Sequence, residues 1–440
     1  MTTNLRCWLS SLALAPFALA QSPITPGNIL VSRVGDGAAA LSNAATARFL
    51  DEYTPTGFLV QTIALPTAAV LPQRALTNSG TATSEGFLSQ SADGNYFILV
   101  GYDAVAGTAS VVSTPSASVS RVIGRIGLDG SVDTTTGLGD AYSANNIRSA
   151  CSDDGTSFWT AGTASSPANG QGVRYVAALG DSTSLQVSTT ITNIRGIGIA
   201  NGQLYCSSQS GSFLGVSTVG TGLPTTSGET ITAIASATGN SSYDFFFADA
   251  QTLYVADDRN NASGGIQKWT ESGGVWTLAF TLQPAVNTGC RGISGYTQAG
   301  VTTLFATTSA SAPTVVSVVD AGPGSPFTTV VASISNTAFR DVQFVRSPSQ
   351  VIYSGTDCAN TVGTPTQTPV GGYPVAGNAN FGILGTNCVP STTVVFAIQL
   401  AGPLPFGYAP FGVDAPPCAL AYLFPDALVY LTADPSGSFL

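Results

Sequence analysis

Arginine returns to one place in this sequence although basic residues are scarce, with 14 Lys+Arg in 440 residues. Aligning the turns and the strand-like segments after them gives equivalent positions that are 61, 47, 49, 47 and 49 residues apart: Phe87, Arg148, Arg195, Asp244, Arg291 and Arg340. A guanidinium holds five donors in one plane and binds a carboxylate or phosphate through two of them. The set therefore predicts an anion-binding site. The alternative is that each arginine binds carbonyls or an acid of the next repeat and fixes its register, which the recurrence itself favours.

Histidine is absent from the chain. Its absence excludes Ser-His-Asp and Cys-His nucleophiles, histidine general bases and imidazole zinc sites. Glycoside hydrolysis needs only two carboxyl groups about 5 to 9.5 Å apart. If the protein is an enzyme, Glu85 and Asp244 are the candidates for acid and base catalysis.

Other residue types suggest binding chemistry without a defining motif. Asp257 and Asp258 in "DDRNN" offer oxygen ligands for calcium, but the spaced acidic pattern of a calcium loop is missing, which favours a solvated loop. Trp159, Trp269 and Trp276 could form a platform for a sugar, although packing between repeats is the more common role of such residues. The sequence indicates no cofactor.

The first 20 residues have the pattern of a secretory signal peptide. Arg6 precedes an apolar run that ends at the cleavage motif Ala18-Leu19-Ala20. We therefore expect an exported protein, secreted or at the cell surface. No later apolar run is long enough to predict a membrane span. A net charge of −10 also makes nucleic acid an unsuitable partner.

Six cysteines remain after signal removal, and none has C-x-x-C spacing. An exported protein favours disulfides over metal or redox sites. In the C-terminal region we favour pairing of Cys358 with Cys418 and leave Cys388 unassigned. Three cysteines lie in different repeats, so at most one disulfide is expected among them: Cys151, Cys206 and Cys290.

The repeat itself predicts the fold. Each unit of 47 to 49 residues contains four short segments of alternating polarity separated by turns, which is typical of a β-propeller blade. Five complete units and one composite blade, built from both ends of the repeat region, predict an all-β, six-bladed propeller over residues 21–352. A seventh blade within the first, longer interval is the open alternative. Residues 353–440, richer in Pro and Gly, predict a small β-sandwich-like module.

The segments "NNIRSACSDDGTSFW", "NGQLYCSS" and "TLYVADD…GGIQKW" resemble an uncharacterised family of secreted bacterial β-propellers with an appended C-terminal β-module. The resemblance implies a fold and an exported location, and it assigns no catalytic residue. Our functional expectation is a monomeric, non-enzymatic scaffold that binds a glycan or protein. The alternative is a hydrolase or lyase that acts on an anionic carbohydrate at the mouth of the propeller channel.

Overall fold

The computed structural model describes residues 21–348 and four further segments, 366–370, 382–386, 393–398 and 427–432. Strands dominate these residues, and the helical segments among them are two short 3-10 turns, Val111–Ser113 and Pro167–Asn169. The predicted all-β class is confirmed.

Six four-stranded antiparallel sheets form the blades of the propeller. Blade 1 contains β1 (Ile29–Val34), β3 (Arg48–Tyr53) and β4 (Leu59–Ala64), whereas β2 (Ala45–Thr46) and β5 (Asn78–Ser79) pair outside the blades. Blade 2 contains β6 (Leu88–Gln90), β7 (Tyr96–Tyr102), β8 (Arg121–Gly127) and β9 (Val132–Leu138). Blade 3 contains β10 (Ile147–Cys151), β11 (Phe158–Gly162), β12 (Val173–Val176) and β13 (Leu185–Ser188).

The remaining blades follow the same order. Blade 4 contains β14 (Ile194–Ala200), β15 (Gln203–Ser210), β16 (Phe213–Val219) and β17 (Ile231–Ser236). Blade 5 contains β18 (Ser242–Asp249), β19 (Thr252–Asp257), β20 (Gly265–Ser272) and β21 (Val275–Leu282). Blade 6 contains β22 (Cys290–Gln298), β23 (Val301–Thr308), β24 (Thr314–Val319) and β25 (Phe327–Ala332), and β26 (Ala338–Phe344) then returns to blade 1.

The ring is closed by the composite blade that the sequence predicts. Strand β26 pairs antiparallel with β1, with Ile29 opposite Phe344 and Val31 opposite Val342. Both ends of the repeat region thus share one sheet, and the ring has no unpaired radial edge at which it could open. The seven-bladed alternative is wrong. The long first interval contains a loop between β7 and β8, where the buried Arg121 donates to the carbonyls of Thr114 and Val119 at 2.7 Å each.

Each blade buries both of its faces, as β19 illustrates. Leu253 and Val255 pack with residues of blade 4, whereas Tyr254 and Ala256 pack with residues of blade 6. A strand with two buried faces needs apolar residues at successive positions, as in the sequence "TLYVAD". The innermost strands contact one another around the ring and surround the channel: β6, β10, β14, β18, β22 and β26.

Beyond residue 348 the structure describes two antiparallel pairs. Strand β27 (Thr366–Val370) pairs with β28 (Gly382–Thr386), and β29 (Thr393–Ile398) pairs with β30 (Ala427–Thr432). The β-sandwich-like module and the domain boundaries stay predictions. The predicted signal peptide, residues 1–20, lies outside the described residues, as do Cys358, Cys388 and Cys418.

Candidate functional site at the propeller channel

A one-residue β-bulge interrupts five of the six innermost strands at the place where the repeated arginine stands. In β10, for example, Ile147 pairs with Gly162 and Ser149 pairs with Ala161, so Arg148 is the extra residue. The same shift occurs in β14, β18, β22 and between β26 and β1. A bulge turns its extra residue out of the strict alternation of a strand. The repeated position is therefore set by the backbone and does not follow either face of the blade.

The pairing register corrects our alignment of blade 5 by one residue. Phe245 pairs with Val255 in the way that Ile197 pairs with Cys206, which places Tyr243, and not Asp244, at the position of Arg195. Asp244 follows it and is equivalent to Gly196. The resulting set is called the arginine layer here and consists of Phe87, Arg148, Arg195, Tyr243, Arg291 and Arg340.

Two aromatic residues close the channel within this layer. Phe87 precedes blade 2 and Tyr243 belongs to blade 5, which are opposite blades of a six-membered ring. Their ring centroids are nevertheless 6.1 Å apart, and both residues are buried. Arg148 and Arg195 therefore lie on one side of the aromatic pair, and Arg291 and Arg340 lie on the other.

Three of the four arginines donate to backbone carbonyls outside their own blade, two of them in the following blade. Nη1 of Arg148 donates to the Ile194 carbonyl at 3.1 Å, and Nη1 of Arg195 donates to the Ser242 carbonyl at 3.3 Å. Nη2 of Arg340 donates to the Gly80 carbonyl at 2.6 Å. These bonds correspond to the register-fixing alternative for the arginines.

Three arginines of the layer also have an N–H donor that is not used. The Nε atoms of Arg148, Arg291 and Arg340 are buried and have no hydrogen-bond partner. Burial and, after it, the positive charge of Arg195 lower the pKa of Arg148 to about 10. Burial also lowers the pKa of Arg340 to about 10, with Arg291 acting in the same direction. A buried charged donor without an acceptor is costly, so the layer is electrostatically incomplete.

Asp258 is the carboxylate nearest to the exposed side of the layer. It lies 4.0 Å from Nη1 of Arg195 and 3.6 Å from Nε of Arg291. Neighbouring Asp257 is buried and accepts from the Ser241 amide at 2.8 Å and from Nε of Arg259 at 2.7 Å. Protein donors thus surround both calcium candidates, and among the described residues no three metal-ligating side chains cluster.

Glu85 is buried beneath the layer with both oxygens engaged. Its Oε1 accepts from Tyr102 and Asn146, and its Oε2 accepts from the Ser79 amide at 3.1 Å and from Asn78 at 3.3 Å. The structure therefore places this candidate catalytic residue among fixed protein donors, outside the channel lining.

Asp244 lies near a second carboxyl group, that of Asp341, which the sequence analysis does not identify. Its Oδ2 accepts from the Ile293 amide at 3.1 Å, while Oδ1 of Asp341 packs against Gly292 and Oδ2 of Asp341 accepts from the Leu88 amide at 2.7 Å. Both carboxyl groups thus converge on the start of blade 6. Burial raises the pKa of Asp244 to about 7. The pKa of Asp341 is raised well above its ordinary range, first by burial and then by the charge of Asp244.

A cavity of ≈ 610 Å³ extends from Asp244 along the channel. We call it the channel cavity. It begins at Phe87 and Asp244 and reaches the turns at Asn201 and Ala250, and all six innermost strands or the residues next to them contribute to its lining. The arginines of the layer are not among its lining residues, so the aromatic pair separates two regions of different chemistry.

The tryptophans have the packing role that the sequence analysis gave as the more common one. Trp159 and Trp269 are buried, and the Trp159 indole N–H donates to the Pro224 carbonyl at 2.7 Å. Trp276 packs edge-on against Phe247.

The thiols of Cys151, Cys206 and Cys290 are buried and unpaired, which agrees with the expectation of at most one disulfide among them. Burial raises the pKa of Cys206 to about 12, so its thiol stays protonated at neutral pH.

Within the described residues, no helix has the length and hydropathy required to cross a bilayer. Comparison with protein-family models gives no match. No curated protein matches either.

Solved structures share the propeller arrangement at low identity. A periplasmic gluconolactonase from Pseudomonas aeruginosa has 13% identity and a TM-score of 0.38 over 68% of this chain and 81% of that one. A gluconolactonase from Xanthomonas campestris has 11% identity and a TM-score of 0.36 over 71% and 88%. A GH74 enzyme from Niastella koreensis has 12% identity and a TM-score of 0.42 over 86% and 64%. These similarities concern the fold.

Proposed function

We propose that the protein is an exported binding scaffold whose arginine layer recognises a carboxylate-bearing ligand, with acidic polysaccharide as the ligand class. The observation that carries the proposal is the set of buried Nε donors without acceptors on Arg148, Arg291 and Arg340. In a protein with a net charge of −10, the guanidiniums of Arg195 and Arg291 lie over the ring of Tyr243, and two further arginines belong to the same layer. A ligand carboxylate beside Arg291 would supply an acceptor for its Nε and offset the repulsion among the arginines.

Arg195 and Arg291 form the accessible part of the layer. Their side chains are 13% and 18% exposed, whereas Arg148 and Arg340 are buried. Asp258 is 19% exposed and lies between them at distances longer than those of a close charged hydrogen bond. A ligand carboxylate at this place would compete with Asp258 for both guanidiniums.

The proposal is tested by calorimetric titration of the purified protein with oligogalacturonate and with the matching neutral galactose oligomer. We expect the acidic oligomer alone to bind, with an affinity that falls as salt is added, because exposed charge pairs are screened. The double variant R195A/R291A should abolish binding. Asp258→Asn, which removes the competing carboxylate, should strengthen it. Equal binding of both oligomers, or full binding by the double variant, would refute the proposal. Acidic peptides in a parallel titration decide between glycan and protein as the ligand.

A second candidate function is hydrolysis in the channel, and the pairing of Asp244 with Asp341 favours it. Two carboxyl groups that interact ionise at different pH values, so the protonated one can donate to a leaving oxygen while the ionised one activates water. Hydrolysis of aryl glycosides or esters by the wild type, lost in Asp244→Asn and retained in R195A/R291A, would support this candidate over the scaffold.

A further inference from the structure

The channel cavity has the form of a small-molecule site that is independent of the arginine layer. Phe87 and Asp244 stand at its inner end, whereas Asp249 and Ala250 at its other end are exposed. Its volume of ≈ 610 Å³ lies within the range of about 300 to 1,000 Å³ that is usual for ligand pockets. A ligand would therefore enter from the end of the channel opposite to the arginines.

The walls of the channel cavity are mainly apolar. Ile199, Phe245 and Phe247 line it and are half-buried, which leaves part of each side chain facing the cavity or solvent. Ile197 and Ile293 complete the apolar wall near the inner end. Water in contact with such walls is released when an apolar molecule replaces it, which favours binding.

The charges around the inner end select against ions of either sign. Asp244, with Asp341 behind it, disfavours an anion because a third negative group would add to an unfavourable pair. The arginine layer beyond Phe87 disfavours a cation. Arg346 also borders the cavity, but its Nη2 already donates to the carbonyls of Gln90 and Ser91 at 3.4 and 3.0 Å.

We infer that the channel cavity binds a neutral, mainly apolar small molecule that donates one hydroxyl or N–H hydrogen bond to the carboxyl group of Asp244. Of the two carboxyl groups, that of Asp244 belongs to a half-buried residue that lines the cavity, whereas Asp341 is buried and is not among the lining residues. None of the four arginines of the layer lines this cavity, so the site does not depend on the proposed anion site.

N-phenyl-1-naphthylamine is a suitable probe because it is neutral, apolar and carries one N–H donor. We expect its fluorescence to rise on binding to the full-length mature protein. Ile199→Trp, which fills the cavity, should weaken binding at least about tenfold, equivalent to about 1.4 kcal/mol. Ala200→Trp, nearer to the opening, is the second blocking variant if the first does not fold. Val275→Trp is the matched control, because Val275 is 64% exposed on an outer strand.

Competition with 8-anilino-1-naphthalenesulfonate, the anionic relative of the probe, tests the role of Asp244. We expect the anion to displace the neutral probe poorly from the wild type and at least about tenfold better from Asp244→Asn, since the variant lacks the carboxylate. R195A/R291A should bind the neutral probe as the wild type does. The inference is overturned if folded Ile199→Trp and Ala200→Trp bind the probe like Val275→Trp, or if the anion displaces the probe equally from wild type and Asp244→Asn.

Discussion

The rings of Phe87 and Tyr243 lie 6.1 Å apart at the centre of the propeller, although the two residues come from opposite blades. The other four blades carry arginine at the same position. The Tyr243 ring lies 4.0 Å from Cζ of Arg195 and 5.7 Å from Cζ of Arg291, so it separates two positive charges and contacts both. The negative face of an aromatic ring stabilises such cations. Two aromatic residues in six positions thus make room for four arginines.

Replacing Tyr243 with Arg should therefore destabilise the protein. The variant would place five like charges in the layer and remove a ring that contacts two of them, and we expect a loss of about 1 to 3 kcal/mol in the free energy of unfolding. Tyr243→Phe keeps the ring and should change stability much less. Urea unfolding of both variants measures the difference, and equal stabilities would show that the ring has no role in separating the charges.

The arginines differ in their bonds to the next blade, and this difference predicts unequal effects of alanine substitution. Arg148→Ala and Arg340→Ala each remove a buried charged donor from a carbonyl, which typically costs about 1.5 to 3 kcal/mol. Arg291 has an ion pair with Asp258 at 3.6 Å, and that pair is partly exposed. Arg291→Ala should therefore change stability by less than about 1 kcal/mol. A uniform loss in all three variants, measured by urea unfolding, would contradict this assignment.

Asp341 leaves no room for a side chain at Gly292. A Cβ on Gly292 would overlap Oδ1 of Asp341, which accepts from the Val342 amide, while Oδ2 of the same carboxyl group accepts from the Leu88 amide. We expect Gly292→Ala to cost about 1 to 3 kcal/mol by overpacking. In the background of Asp341→Ala the overlap with the carboxyl group is removed and the close approach to Cα of residue 341 remains, so the same substitution should cost less but not nothing. A double-mutant cycle measures this coupling. Additive effects would mean that the two residues do not compete for space.

Much of the fold follows from the sequence because it is encoded in local, repeated patterns. Strand segments with two buried faces, such as "TLYVAD", recur at nearly constant intervals, and the complementary partial blades at the two ends predict ring closure. The repeated arginine can be predicted from the sequence for the same reason. The β-bulge that sets its position cannot, because a bulge depends on the register between two strands and leaves no composition signal.

The positions of Asp244 and Asp341 depend on strand register and on contacts between blades, which the sequence does not show directly. Asp244 was aligned one residue out of register because "SYDFFF" gives no arginine to anchor the alignment. Asp341 was overlooked beside Arg340, although an acidic residue after a repeated arginine, where other repeats have glycine or serine, is a usable signal. Glu85 looked catalytic in the sequence and is surrounded by donors in the structure.

The raised pKa of Asp244 predicts a stability that falls as the pH rises. Its pKa in the folded protein is about 7, above the ordinary value of 3.8, so between these values the folded state binds the proton more tightly than the unfolded state. The stabilisation is complete below about pH 4 and is lost as the pH approaches 7. Asp244→Asn, which does not ionise, should therefore gain stability relative to the wild type between pH 5 and pH 8. The melting temperatures of both proteins at the two pH values give the comparison.

Asp129→Asn is the control for this pH effect. Asp129 is exposed, and hydrogen bonds from Ser131 hold its pKa below the ordinary value, so its carboxylate is ionised in both states at pH 5 and above. The effect of its substitution on the melting temperature should be the same at pH 5 and pH 8. If the effect of Asp244→Asn is equally flat, Asp244 titrates like an exposed carboxyl group, and its surroundings at the inner end of the channel do not raise its pKa.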